Sequence, residues 1–268
     1  MKTSKSHPSF TGSLTSVDLQ NHVLVSYFWM RIGSGILGVT LPFVLWIGGR
    51  ISGICRQDSI SAYFWATTAD GTFLRTWFVG ALFAVSVILG FYRGFSKVED
   101  ILLDAAAVLG VGVTLFPMPW PPDHLPWCKS VLADLSTHPG ITFFGGRVPL
   151  HDVCAVSFFI CTAFICWFCA DDTLTLIKQP WLRSLYKRIY RFIAIAMPGS
   201  AIVALWISWI KTDGHDIFWV ETFGVVAFGV YWLVKGIELR MSAADDLAVR
   251  GKLRLVEGQI QHVAGEGS

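Results

Sequence analysis

Residues 153–170 read VCAVSFFICTAFICWFCA, eighteen positions without one charged side chain, proline or glycine. A helix needs about 20 mostly apolar residues to cross roughly 30 Å of hydrocarbon, and this run nearly meets that need by itself. Five further runs resemble it: Val23–Ile47, interrupted by Arg31; Trp77–Tyr92; Ile101–Met118; Phe192–Ile210; and Ile217–Val234, which carries Glu221 near its start. The runs are continuous rather than alternating in ten-residue units, so they read as helices and not as strands of a membrane barrel. A helix also satisfies its own backbone polar groups inside lipid. The expected fold is therefore all-α, a polytopic membrane helix bundle with six transmembrane helices. Small residues four apart, Ser34 with Gly38 and Ala106 with Gly110, would let neighbouring backbones approach closely.

Composition supports the same class. Of 268 residues, 53% are hydrophobic and 15% charged, and mean hydropathy is +0.55. Soluble domains are usually about 45–50% apolar and about 25% charged. An ordinary cytosolic domain and a disordered chain are excluded. Nucleic acid is excluded as a partner, because the net charge is only +2 and no basic stripe exists to follow a phosphate backbone.

Six spans place both termini on one side. That side receives five basic residues in the connection Lys178–Arg191 and five more in Lys235–Arg254, whereas the other holds Arg50, Arg56, Arg75, Lys129, Arg147 and Lys211. Positive residues collect on the cytoplasmic side, so both termini are expected in the cytoplasm. The expected organisation is a polar segment at 1–22, a membrane domain at 23–236 with a long outer loop at 119–150, and a charged, mildly amphipathic tail at 237–268. The first span is too long for a signal core and lacks a small-residue cleavage site, which makes it a retained anchor. The tail suggests a short surface helix, with Ala264–Ser268 disordered. The expected location is a bacterial inner (plasma) membrane.

Six cysteines are present. Cys154, Cys161, Cys166 and Cys169 lie within one span, where a buried thiol behaves as a small apolar group. Cys55 and Cys128 fall in outer loops, an oxidising setting, and are the candidate disulfide.

Ionisable groups at membrane depth are costly and so suggest function. Glu221 is the foremost. His151 and Asp152 open the fourth span on the same side, and the first outer loop supplies Asp58-Ser59-Ile60-Ser61-Ala62-Tyr63. Polar and apolar residues alternate there, as in an extended segment that could plug the bundle mouth. The candidate ligand-binding cluster is Ser59, Ser61, Tyr63, Arg75, His151, Asp152 and Glu221, with Arg75 as counter-ion to a carboxylate. Interfacial snorkelling or a helix N-terminal acid explains Glu221 and Asp152 without any ligand. On the opposite side Arg31 and Asp104 lie at similar depth and form a candidate structural ion pair. No H-x-x-x-H, H-E-x-x-H, G-x-S-x-G or phosphate loop occurs. No cofactor and no metal are expected, and the enzyme signal is weak.

The order of features resembles the six-span DRAM/Frag/Sfk membrane family and related bacterial membrane proteins. The residues that carry it are the first-loop Ser59, Ser61 and Tyr63; His151, Ala155, Phe158 and Phe159; and Glu221, Phe223, Phe228, Trp232 and Lys235. The similarity spans roughly residues 25–240. The first loop here reads Ser-Ile-Ser-Ala-Tyr where the family has Pro-Tyr-Ile-Ser-Asp. The resemblance implies a six-span fold; eukaryotic members are linked to lipid handling and membrane trafficking. The expected function is a membrane protein that binds a lipid or small amphiphile at an outer-facing polar pocket. The alternatives are a metal-dependent lipid hydrolase, with zinc on outer histidines such as His124, His138 and His215, and a proton- or ion-coupled transporter using Glu221. Membrane lipids are the expected partners, with a homo-oligomer left open.

Overall fold

A computed structural model describes residues 16–66, 73–119, 141–143, 148–210, 217–256 and 259–262. Helix α1 covers Ser16–Ile51, α2 Phe73–Phe91 and α3 Lys97–Leu115. Helix α4, Leu150–Phe164, continues through a π turn at Ile165–Cys169, and a 3-10 helix at Asp172–Leu176 follows. Helix α5 is Pro180–Ile210, α6 Phe218–Ser242 and α7 Ala244–Val249. The strands are minor: β1 (Thr142–Phe143) pairs with β2 (Val148–Pro149), and β3 (Leu253–Val256) with β4 (Gln259–His262), both antiparallel.

Among the described residues, five helical segments are long and apolar enough to cross a membrane: α1, α2, α4 with its continuation to Leu176, α5 and α6. The third expected span corresponds to α3, which opens with Lys97, Glu99 and Asp100 and carries Asp104 one turn later. Those charges have local duties. Ser96 caps the helix by accepting from the Glu99 amide (3.2 Å), while the Glu99 and Asp100 carboxylates accept from the amides of Phe95 and Gly94 (both 2.8 Å). The acids thus close the tight turn between α2 and α3.

Helix order around the bundle follows chain order. Each of α1 to α6 packs on its sequence neighbours, and α6 returns to α1, closing a ring. Large apolar side chains cover the outside, among them Trp29, Ile36, Phe83, Val108, Phe164 and Trp206. A water-soluble surface does not carry so continuous an apolar coat. Inside, one core cluster gathers Leu41, Leu45, Ile60, Tyr63, Leu74, Phe78 and Phe218; a second gathers Leu89, Tyr92, Leu103, Cys166, Tyr190, Met197, Phe228 and Trp232.

The ring closes tightly where α1 crosses α6. A β-carbon on Gly38 would sit 2.9 Å from Gly229 Cα, and one on Gly229 would sit 2.6 Å from Val39 N and 2.7 Å from Gly35 O. Between α2 and α3, a β-carbon on Gly110 would collide with Ser86 Oγ. The small residues therefore set interhelical distance.

Two expectations need correction here. Arg31 does not pair with Asp104. Its guanidinium binds Asp245 in bidentate fashion (2.6 and 2.8 Å), and its Nε donates to the Tyr92 hydroxyl (2.9 Å). Asp104 instead pairs with Arg93 (3.1 Å) on an exposed face. The reason is geometric: α1 and α3 are not ring neighbours, and Arg31 is buried, 1% exposed, facing the docked tail. The tail is not only a surface helix. Helix α6 runs on to Ser242, Ala243 takes a left-handed conformation (φ 54°), and α7 turns back to deliver Asp245. The β3–β4 hairpin then packs near Asp172–Leu176. Residues Ala264–Ser268 lie outside the described residues.

Overpacking a close crossing costs about 1–3 kcal/mol. Gly229→Ala is therefore expected to lower the unfolding midpoint in detergent, whereas Gly80→Ala, which meets no atom within 4 Å, leaves it unchanged. Equal midpoints for both variants would contradict the tight α1–α6 crossing.

Candidate functional site

The segment Asp58–Trp65 folds into the mouth of the ring. Its apolar members anchor it: Ile60, Ala62, Tyr63, Phe64 and Trp65 are all buried. The Trp65 indole donates to the Met118 carbonyl (3.0 Å), and the Ile217 amide donates to the Asp58 carbonyl (2.8 Å). Residues Ser61–Phe64 form a 3-10 helix, not the extended strand that the alternation suggests. This changes which side chains converge. Near 120° per residue, Ser61 and Tyr63 cannot share a face.

Four polar side chains meet in a connected network. The Ser59 hydroxyl donates to the Glu221 carboxylate (2.8 Å to Oε2) and accepts from the Ser61 amide (3.0 Å). The Ile60 amide also donates to Glu221 Oε2 (2.6 Å). The Ser61 hydroxyl lies 2.9 Å from His151 Nε2, and His151 Nδ1 lies 2.9 Å from the Phe116 carbonyl. A carbonyl can only accept, so Nδ1 carries the hydrogen; Nε2 accepts from Ser61 when the ring is neutral and donates to it when the ring is protonated. The Phe116 carbonyl is available because α3 ends at Leu115. The network ties the first loop to α3, α4 and α6.

Beneath it lies a cavity of about 230 Å³. Ser59, Ser61, His151, Asp152 and Glu221 line its polar end. Leu37, Leu41, Phe78, Val85, Phe158 and Phe228 line the rest. Asp152, at the start of α4, makes no hydrogen bond with the described residues, and its neighbour His151 is the ionisable group it interacts with electrostatically. No lysine or arginine among the described residues pairs with Glu221 or lines the cavity.

Two candidate residues fall elsewhere. Arg75 stacks its guanidinium 4.2 Å from the Phe64 ring centre and pairs with neither carboxylate. Tyr63 is fully buried against Phe218 and points away from the cavity; burial raises its phenol above the usual tyrosine range. Cys55 is disulfide-bonded. Its expected partner Cys128 lies outside the described residues, as do His124, His138 and His215. Cys154, Cys161, Cys166 and Cys169 carry free thiols. Among the described residues no three His, Cys, Asp or Glu side chains gather closely enough to hold a metal ion.

The opposite end of the bundle holds a second polar network. Lys235 is 2% exposed and Glu238 is 0%. The Lys235 ammonium donates to Glu238 (2.8 Å), to Thr173 Oγ1 (2.7 Å) and to the Ala170 carbonyl (3.1 Å), which uses all three hydrogens. Glu238 also accepts from Thr173 (3.0 Å) and Tyr190 (3.3 Å). Sequence reasoning placed Lys235 at a basic boundary and Glu238 at the start of the tail. The available signal was their i, i+3 spacing inside Trp-Leu-Val-Lys-Gly-Ile-Glu-Leu, where apolar neighbours keep the helix buried past the lysine.

Removing one member of a buried pair strands the other charge, at about 3–5 kcal/mol. Lys235→Met alone is expected to destabilise the protein by that amount, and the double variant Lys235→Met/Glu238→Leu to recover most of it. Denaturant unfolding in detergent measures both; a double variant no better than the single one would contradict the pairing.

Compared with protein-family models, with curated proteins and with solved structures, the chain matches none.

Proposed function

We propose that this chain is a six-span protein of a bacterial plasma membrane, with both termini cytoplasmic, that holds a lipid or small amphiphile in the cavity beneath its first outer loop. The single observation that carries the reading is the cavity itself. It is polar at one end and, apart from Ser86, whose hydroxyl bonds the Leu82 carbonyl of its own helix, apolar along the rest, the lining that an amphiphile needs. It sits inside a ring of helices with apolar outer faces.

The sixth span is α3. Its first two turns are charged, but Ile101, Val108 and Leu115 stand seven residues apart and are each more than 60% exposed. Such a stripe suits lipid contact. The basic connections Lys178–Arg191 and Lys235–Arg254 support the cytoplasmic assignment. The resemblance to the DRAM/Frag/Sfk family, carried by Ser59, Ser61, His151 and Glu221 in that order, agrees with six spans and with lipid handling.

Ala155 lines the cavity one turn below His151. Ala155→Trp is expected to fill the space. Protein extracted in native nanodiscs should carry a near-stoichiometric amphiphile detectable by mass spectrometry, and the variant should lose it while keeping its circular dichroism. Equal amounts in the two proteins would overturn the reading. Reporters fused to either terminus should both respond as cytoplasmic.

A further inference from the structure

The cavity also has a sign. We propose that its occupant is a cationic amphiphile: an ammonium head lies between Glu221 and Asp152, and an apolar body extends toward Phe158 and Phe228. This rests on the reading that the cavity holds an amphiphile and adds the charge of the headgroup.

The charge inventory of the polar end is one-sided. Glu221 accepts from the Ser59 hydroxyl and the Ile60 amide, so its oxygens are met by donors but by no cation. Asp152 shares the lining, with no hydrogen bond to the described residues. Both ring nitrogens of His151 are engaged elsewhere, Nδ1–H with the Phe116 carbonyl and Nε2 with the Ser61 hydroxyl, so neither bonds a carboxylate. Arg75, at the neighbouring start of α2, lies over Phe64 (4.2 Å) and not on either acid. Two carboxyl groups therefore share a largely apolar chamber whose described lining holds no lysine or arginine, with His151 beside Asp152 as the one ionisable base.

Two carboxylates close together in low dielectric repel, and burying them without a partner is costly. A phosphate or carboxylate headgroup would add to that repulsion. A neutral headgroup would leave it in place. An ammonium relieves it, and its three N–H donors can serve both acids. The contrast with the other end of the bundle is direct, because there the buried Glu238 has Lys235 at 2.8 Å.

The length of the chamber fits the same class. Phe158 is seven residues beyond His151 and Phe228 seven beyond Glu221, about 10 Å along each helix. The apolar floor is thus two turns from the acids on both walls, and a single-headed amphiphile of modest chain length spans the distance.

Three probes with one chain and three head charges test the proposal: octylammonium, octanol and octanoate. Binding is read by displacement of the unfolding midpoint of the detergent-solubilised full chain, with Ala155→Trp subtracting micelle effects. Octylammonium should bind about tenfold or more tightly than octanol, with octanoate weakest. Asp152→Asn should shrink the preference for octylammonium over octanol; since Asp152 makes no hydrogen bond with the described residues, this variant is expected to stay folded. Glu221→Gln should shrink it further. If octanol or octanoate binds as well as octylammonium, the cationic assignment is wrong while the amphiphile reading stands. If none of the three binds in a way that Ala155→Trp abolishes, both readings fall.

Discussion

The carboxylate of Glu221 accepts from the Ser59 hydroxyl and the Ile60 amide, and the architecture of one end of the bundle depends on that contact. Without it the first loop has no polar reason to enter the ring. With it, Ser59 is fixed, the Ser61 amide is satisfied, and the Ser61 hydroxyl is aimed at His151. That histidine in turn takes up the carbonyl left over where α3 ends. Hydrogen bonds to a charged group are worth about 1.5–3 kcal/mol net, more than enough to decide where a short loop rests. The consequence is a roof of hydrogen bonds over an apolar chamber.

The two ends of the bundle treat buried charge in opposite ways. At the tail end, Lys235 answers Glu238, which also accepts from Thr173 and Tyr190, and Arg31 answers Asp245 while donating to the Tyr92 hydroxyl. Every ammonium hydrogen of Lys235 is used. Such closed networks fix how helices and tail are docked. At the loop end, no lysine or arginine among the described residues pairs with Glu221 or Asp152.

The sequence makes the spans legible because apolar runs of this length have few alternatives. Ser59, Ser61, His151, Asp152 and Glu221 were also legible as a group, since each is polar and each falls at one depth. Tyr63 and Arg75 were misjudged for a local reason. An alternating pattern suggests a strand, and a strand would have sent Ser61 and Tyr63 the same way; the 3-10 turn sends them apart, and Arg75 finds an aromatic face. Arg31 was misjudged for a global one. Depth alone suggested Asp104, but a partner must also be a ring neighbour, and the true partner, Asp245, sits in a tail 214 residues away in sequence. The ring order that decides this is tertiary information. Lys235 and Glu238 looked like the end of a span because charge usually marks one, whereas here the helix continues into protein.

The most direct test of this account is amide hydrogen exchange resolved to residues 58–64. In the unaltered protein the Ile60 and Ser61 amides should be protected. In Glu221→Ala they should exchange at least about tenfold faster while Leu103, in the core of α3, stays protected, because local opening follows loss of local contacts. Rapid exchange at Ile60 in the unaltered protein, or no change in the variant, would show that Glu221 does not hold the loop.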